Sequence, residues 1–227
     1  MLIAEELFLL SMDQKKNVPY FRTNSSLAYS LVGSLLAELM LEGDVDEVQD
    51  KIIINNRSND HPLLQETLHM LETKPNQTIE YWVSKLESLH RNIKKKVARQ
   101  LESNRCIRIE KKKVLGLFKT EKYHLKEERA IEDYREQFRQ VLEKMDDSDS
   151  FTQQEERTLI LLSFVHVNEL LDIVFDDKRE VSSIKKKLKQ SKDHLPVSKA
   201  VKATIDTITV VIMAASIAAT SSSSSSS

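Results

Sequence analysis

Residues 89–120 read LHRNIKKKVARQLESNRCIRIEKKKVLGLFKT, and the period of the apolar positions changes half-way along them. Ile93, Val97 and Leu101 stand four apart, which places them on one arc of a helix at about 100° per residue. From Cys106 the rhythm shortens. CIRIE at 106–110 alternates apolar with charged residues, as in a half-buried strand. VLGLF at 114–118 is a second short apolar run and is expected to return as the partner strand, giving a β-hairpin over roughly 106–124. A cationic helix followed by a cationic hairpin is therefore the organising feature.

Outward from it, the chain reads as helix. Residues 3–12 form a short helix with Ile3, Leu7 and Leu10 on one side, and a polar loop broken by Pro19 follows. Asn24 or Ser25 is expected to cap a second helix carrying Leu27, Leu31, Leu35, Leu36, Leu39 and Met40, ended by Gly43. That helix has no Lys or Arg. Residues 44–54 suggest a small hairpin turning near Asp50-Lys51. Pro62 suits the first position of a helix to about Leu71, and Pro75 breaks it. A helix with Trp82 runs from about Thr78 to Leu89, and the next runs to Ser103. Further helices are expected over 126–145, from a capping box at Thr152 and Glu155 through LILLSFVHV, at NELLDIVF, at 179–192 and, after Pro196, over 197–219. The fold class is mainly α: a single compact helical domain over 1–219 with one or two small β-hairpins, one protruding. Ser221–Ser227 is pure serine, and 220–227 is expected to be a disordered tail.

Composition agrees and excludes several classes. The chain has 227 residues, 40% of them apolar and 30% charged. That suits a soluble protein with a real core. Three glycines leave no dinucleotide fingerprint, and one cysteine, Cys106, excludes a disulfide framework and a cysteine-based zinc site. Ile208–Ala219, the most apolar stretch, is 12 residues long, short of the ~20 that a membrane span needs. The six histidines show no i, i+4 pair and no obvious carboxylate partner, so no metal is expected. Cys106 reads as an inert thiol. Glu5 and Glu6 point about 100° apart on a helix and cannot face each other as acid and base. No catalytic residue and no cofactor emerge, and the chain reads as a non-enzyme.

Charge is the informative signal. Lys85–Lys126 holds 14 basic and 4 acidic residues, a net of +10, while the rest of the chain carries −11 and the whole chain −1. Such asymmetry points to an anionic partner. Arg91, Lys95 and Arg99 fall opposite the apolar arc of Ile93, Val97 and Leu101, with Lys94 at its edge. The hairpin adds Arg108 and Lys111–Lys113, then Leu115, Leu117 and Phe118. Cations beside an apolar tip suit a membrane surface, where headgroups attract the charges and the acyl boundary accepts the apolar residues. A solvated charged face beside a core hairpin is the plainer alternative. Winged-helix binding of nucleic acid is another, disfavoured by the apolar tip, and a protein-interaction scaffold is a third.

Four segments in order, EELFLLSMDQKKN (5–17), SLVGSLLAELMLEGDV (30–45), LHRNIKKKVARQLESNRCI (89–107) and ERTLILLSFVHVNELLDIVF (156–175), resemble the Golgi phosphoprotein 3 family. The resemblance extends over roughly residues 2–218. It implies a compact helical domain with a protruding hairpin, here at about Arg108–Tyr123. It also implies peripheral membrane binding through phosphatidylinositol 4-phosphate. Eukaryotic members use that binding to reside at the Golgi and retain glycosyltransferases. The family's lipid site joins a Trp and an Arg near the second helix to two Arg on a later one. The later pair falls on Arg91 and Lys94; the Trp falls on Thr23 and the first Arg on Val32. The expected headgroup contacts are thus Arg91 and Lys94, supported by Lys95, Arg99 and Arg108. Leu115, Leu117 and Phe118 are expected to touch the membrane or a second subunit, with self-association through the 108–123 hairpin. The long N-terminal extension of eukaryotic members is not seen, so the expectation is a prokaryotic, cytoplasmic member at the inner face of a membrane, binding a phosphoinositide or another anionic lipid.

Overall fold

A computed structural model describes residues 1–23, 26–114, 118–126, 131–147, 150–190, 206, 209 and 210, with side chains at all of these but 112–114, 118, 119, 146 and 147. Among them the fold is mainly α, with small antiparallel pairs of strands. Three helices make the inner layer: α1 (Ile3–Leu10), α2 (Leu27–Leu41) and α7 (Gln153–Val167), each packed on the other two. The sequences of α2 and of α7 from Thr158 on are apolar nearly all round, which is the pattern of a helix buried on every side. Ile3, Ala4, Leu7 and Phe8 of α1, and Leu27, Leu31, Val32, Leu35, Leu36 and Leu39 of α2, are fully enclosed. Ser30, Gly33 and Ser34 are buried with them; small side chains let the neighbouring helices close in. This burial explains why α2 carries no cation.

Amphipathic helices surround that layer. α3 (Pro62–Glu72), α4 (Ile79–Leu89) and α5 (Ile93–Ser103) pack on α2, and α6 (Ile131–Asp147) packs on α7. α8 (Leu171–Val174) and α9 (Lys178–Gln190) follow. The caps explain the boundaries. Gly43 takes φ 76°, and Gly43 N–H donates to Met40 O while Asp44 N–H donates to Leu39 O at 2.9 Å, closing α2 in a Schellman motif. Thr152 and Glu155 form the expected capping box on α7. Pro62 stands at the first position of α3.

Several boundaries differ from the sequence reading. Asn24 and Ser25 lie outside the described residues, and Ser26 precedes α2 without a side-chain cap. The polar loop contains a two-stranded sheet, β1 (Met12–Asp13) with β2 (Val18–Pro19), which residues this few cannot announce by alternation. The next pair, β3 (Val45–Val48) and β4 (Lys51–Ile54), turns at Gln49-Asp50, one residue before the expected place; both residues have positive φ, as a two-residue hairpin requires. The basic hairpin pairs β5 (Ile107–Val114) with β6 (Phe118–Leu125). VLGLF is therefore not the return strand: Val114 pairs with Phe118, the returning strand is the more polar FKTEKYHL, and residues 115–117 lie outside the described residues. NELLDIVF yields only the four-residue α8. Helix α6 is described from Ile131, and residues 127–130, which the expected helix from 126 includes, lie outside the described residues. The serine tail and most of the expected helix over 197–219 lie outside the described residues.

An ion network at the base of α1 was not legible in the sequence. Arg157 of α7 donates to Glu38 Oε1 at 2.9 Å, Glu6 Oε2 at 2.7 Å and the Met1 carbonyl. Glu38 also accepts from the Ile3 N–H at 2.7 Å. Glu6 and Glu5 do diverge, as adjacent helical positions must. Glu5 instead accepts from the Leu2 N–H at 2.8 Å and faces His61 at 3.7 Å.

Candidate functional site

The connection from α4 to α5 builds the basic site. His90 caps α4, Arg91 follows, and Asn92 takes the left-handed conformation at φ 61° before α5 starts at Ile93. Arg91 therefore lies in the turn before the helix and not on it, a correction to the sequence reading. No side chain caps the first turn of α5, and such an end attracts anions. The apolar arc is as expected: Ile93, Val97 and Leu101 are buried, together with Ala98. The α5–β5 corner is another Schellman turn, with Arg105 at φ 61° and Cys106 N–H donating to Leu101 O at 2.8 Å.

A cavity of about 230 Å3 opens at this junction, lined by Ala28, Glu87, His90, Asn92, Ile93, Lys94, Lys95 and Tyr123. Of the predicted contacts, Lys94 and Lys95 share it. Lys94 is half-buried, and burial pushes its ammonium below the ordinary lysine range, with Glu87 opposing. Arg91, Lys95, Arg99 and Arg108 are exposed. Among the described residues these four have no ion-pair partner, whereas Lys96 is bound to Glu66 at 2.5 Å. Arg99 lies farther along α5, and Arg108 is on β5.

His90 was missed, since a lone histidine between two helices carries no pattern. It is fully enclosed. Thr67 Oγ1 donates to Leu63 O at 2.7 Å, so it accepts from His90 Nε2–H at 3.0 Å. Nδ1 is thus the bare nitrogen, 3.9 Å from Glu66. Burial pushes the His90 pKa down to about 4, against the pull of Glu66 and with Lys96 adding to the depression. His90 thereby ties the turn that presents Arg91 and Lys94 to α3. The histidines do have carboxylate neighbours after all: His124 lies 2.8 Å from Glu110 across the hairpin. Strand pairing creates that contact, and sequence spacing hides it. Among the described residues no cluster of three His, Cys, Asp or Glu is placed to hold a metal ion.

The positions on which the resemblance places the other half of a lipid site, Thr23 and Val32, are closed. Thr23 and Val32 are both fully enclosed, and Thr23 Oγ1 donates to Tyr20 O at 2.8 Å. Neither side chain can reach a headgroup. Arg22 cannot replace the missing arginine in this state, because it donates to both oxygens of Asp172 at 2.8 Å. Phe21 is 88% exposed. Leu115 and Leu117 lie outside the described residues, as does the Phe118 side chain.

A family model for Golgi phosphoprotein 3 (GPP34) matches residues 3–208, nearly the whole chain. The chain belongs to the Golgi phosphoprotein 3 family. No curated protein matches it individually. The match spans both the enclosed α1–α2–α7 layer and the basic α5–hairpin unit, so the site just described sits within the family domain. No helix among the described residues is long and apolar enough to cross a membrane.

Proposed function

We propose that this member of the Golgi phosphoprotein 3 family is a peripheral membrane protein, without catalytic activity, that binds anionic phospholipid headgroups at the α4–α5 junction. The carrying observation is a set of exposed cations with no ion-pair partner among the described residues, Arg91 and Lys95 at the start of α5, Arg99 farther along it and Arg108 on β5, beside a cavity that holds the half-buried Lys94. A cation left unpaired in a protein that pairs most of its other arginines is available to an external anion. Lys94, partly stripped of water, gains most from a phosphate oxygen, because a charge-assisted bond strengthens where the dielectric is low. The remaining cations supply a general attraction to any anionic surface, about 1 kcal/mol each near the membrane.

The absence of an accessible Trp and Arg at Thr23 and Val32 supports a smaller phosphate reader than the family pattern implies. Phosphoinositide is one ligand such a reader takes; another phosphomonoester or plain anionic lipid is the coarser alternative.

Sedimentation with vesicles of phosphatidylcholine alone, or with added phosphatidylglycerol or phosphatidylinositol 4-phosphate, tests the reading, with duplex DNA as a control. Binding to both anionic vesicle types is expected, and none to phosphatidylcholine. It should weaken steeply with salt, since exposed charges are screened beyond about 10 Å at 0.1 M. Arg91→Ala with Lys94→Ala should lower affinity about 100- to 1,000-fold, as expected for a lost charge-assisted bond and a second lost cation. Binding to neutral vesicles alone, salt-insensitive binding, or tighter binding to DNA would refute it.

A further inference from the structure

A second cavity, of about 540 Å3, shares no lining residue with the one at the α4–α5 junction. It lies between the end of α1, the β1–β2 loop, the foot of β6, the start of α6 and α8. That volume is within the range of about 300–1,000 Å3 typical of small-molecule sites. Its apolar wall includes Leu9, Leu10, Met12, Leu125, Ile131 and Ile173, and Cys106 opens onto it.

The polar groups at this cavity decide the ligand. Two carboxylates line it, and both are already answered. Asp172 accepts from Arg22 on both oxygens. Asp13 accepts from the Lys15 and Lys16 amides at 3.0 and 3.1 Å and lies 3.5 Å from Lys16 Nζ. Three groups are left over among the described residues. The exposed Lys15 ammonium makes no ion pair, and the Tyr20 hydroxyl and the exposed Gln14 carboxamide make no hydrogen bond. Burial and the nearby Asp13 push the Tyr20 phenol above its ordinary pKa, so it stays a proton donor. Lys15, Lys16 and Arg22 against Asp13 and Asp172 leave one positive charge over. Among the described residues the arrangement is an apolar chamber with one ammonium, one hydroxyl and one carboxamide to offer at its polar side.

We infer that this cavity binds a free medium-chain aliphatic carboxylate, its tail among Leu9, Ile131 and Ile173 and its head on Lys15 and Tyr20. Charge complementarity selects the head: a carboxylate meets a spare ammonium and a spare donor, while an alkylammonium meets carboxylates that are already paired. The inference is independent of the headgroup site, since the two cavities have separate walls.

Cys106, the sole cysteine of the chain, is the reporter. The full chain is titrated calorimetrically with decanoate and with decylamine, and Cys106 alkylation by iodoacetamide is timed at saturation. Decanoate should bind one to one and slow alkylation at least about 10-fold, as a largely enclosed ligand would. Decylamine should bind about 10-fold more weakly or not at all. Lys15→Ala, on an exposed side chain, should weaken decanoate about 3- to 10-fold, the size of a partly exposed charge pair. Ile173→Trp should fill the chamber, abolishing decanoate binding while itself slowing alkylation. The proposal falls if decanoate gives no protection, if decylamine protects as well, or if Lys15→Ala leaves decanoate affinity unchanged. It falls equally if phosphatidylglycerol vesicles protect Cys106 and decanoate does not, for the chamber would then take a bilayer chain and not a free acid. Arg91→Ala must leave the protection intact; loss of protection there would deny the separateness of the two sites.

Discussion

Arg157 and Arg91 carry the same guanidinium into opposite settings. Arg157 is enclosed by Glu6, Glu38 and the Met1 carbonyl and binds α1 to α2 and α7. Arg91 stands exposed in a turn, and among the described residues it has no ion-pair partner. Arg22, Arg135 and Arg139 follow Arg157, each held by a carboxylate. Lys95, Arg99 and Arg108 follow Arg91. The chain is close to neutral overall, yet its carboxylates are distributed so that one region is internally satisfied and the other faces outward. Paired cations hold the fold together; unpaired cations are what an external anion can use.

The largest effect should come from breaking the paired side. Arg157→Leu takes the counter-charge from Glu38, which has little solvent, and removes one partner of Glu6. Stripping one partner from such a buried network costs about 3–5 kcal/mol. Urea unfolding should show that loss, while Arg91→Ala stays within about 0.5 kcal/mol of the parent, as surface changes usually do. Equal losses in the two variants would dissolve the distinction between the regions.

The next effect is at the hinge between them. His90 has a folded pKa of about 4 against an ordinary value of 6.5. The native state therefore binds fewer protons than the unfolded chain in that interval. The stability this contributes is complete above pH 6.5 and is lost as pH falls towards 4, up to about 3 kcal/mol at 1.36 kcal/mol per pH unit. Protonation at Nδ1 brings a cation beside Glu66, in competition with Lys96. His90→Gln should flatten the stability profile between pH 6.5 and 4; an unchanged slope would place that titration elsewhere.

What the sequence disclosed follows from the range of each interaction. The apolar arc of α5, the Gly43 stop, Pro62 and the Thr152–Glu155 box are local patterns, and the structure keeps each of them. The hairpin was located but its return strand was misjudged, because VLGLF is the apolar run while the strand that pairs is the more polar FKTEKYHL. The candidate site was legible in part: charge and period put Arg91, Lys95 and Arg99 on one cationic face, and the family resemblance singled out Arg91 and Lys94. The cavity's other walls, Ala28, Glu87, His90 and Tyr123, come from four separate elements or turns. No spacing rule joins them. The Arg157 network spans 151 residues between Arg157 and Glu6, which puts it equally out of reach of periodicity. Burial of Thr23 and Val32 was also invisible, although the enclosed α2 pattern hinted that position 32 faces the core.

Two neighbouring lysines sharpen the comparison on the unpaired side. Lys94 is half-buried and Lys95 exposed, on consecutive positions of α5. Lys94→Ala should weaken binding to phosphatidylinositol 4-phosphate vesicles by roughly 1.5–3 kcal/mol, the worth of a charge-assisted bond. Lys95→Ala should cost about 1 kcal/mol or less, as a field contribution does. Vesicle titration of both variants decides it, and equal losses would mean that burial at the cavity confers nothing.

The smallest effect belongs to the outlying cations. Arg99 and Arg108 lie on α5 and β5, away from the residues that line the junction cavity. Neither has an ion-pair partner among the described residues. On the proposed function their contribution would be a screened attraction that does not distinguish one headgroup from another. Arg99→Ala and Arg108→Ala should each weaken binding by about 1 kcal/mol or less at low salt. The loss should be the same on phosphatidylglycerol and on phosphatidylinositol 4-phosphate, and it should shrink as salt is raised. Lys94→Ala, by contrast, should keep its headgroup preference at every salt concentration. If Arg108→Ala instead proved headgroup-specific, the reader would extend from the helix start onto β5. The division between a pocket and a surrounding field would then have to be redrawn along the hairpin.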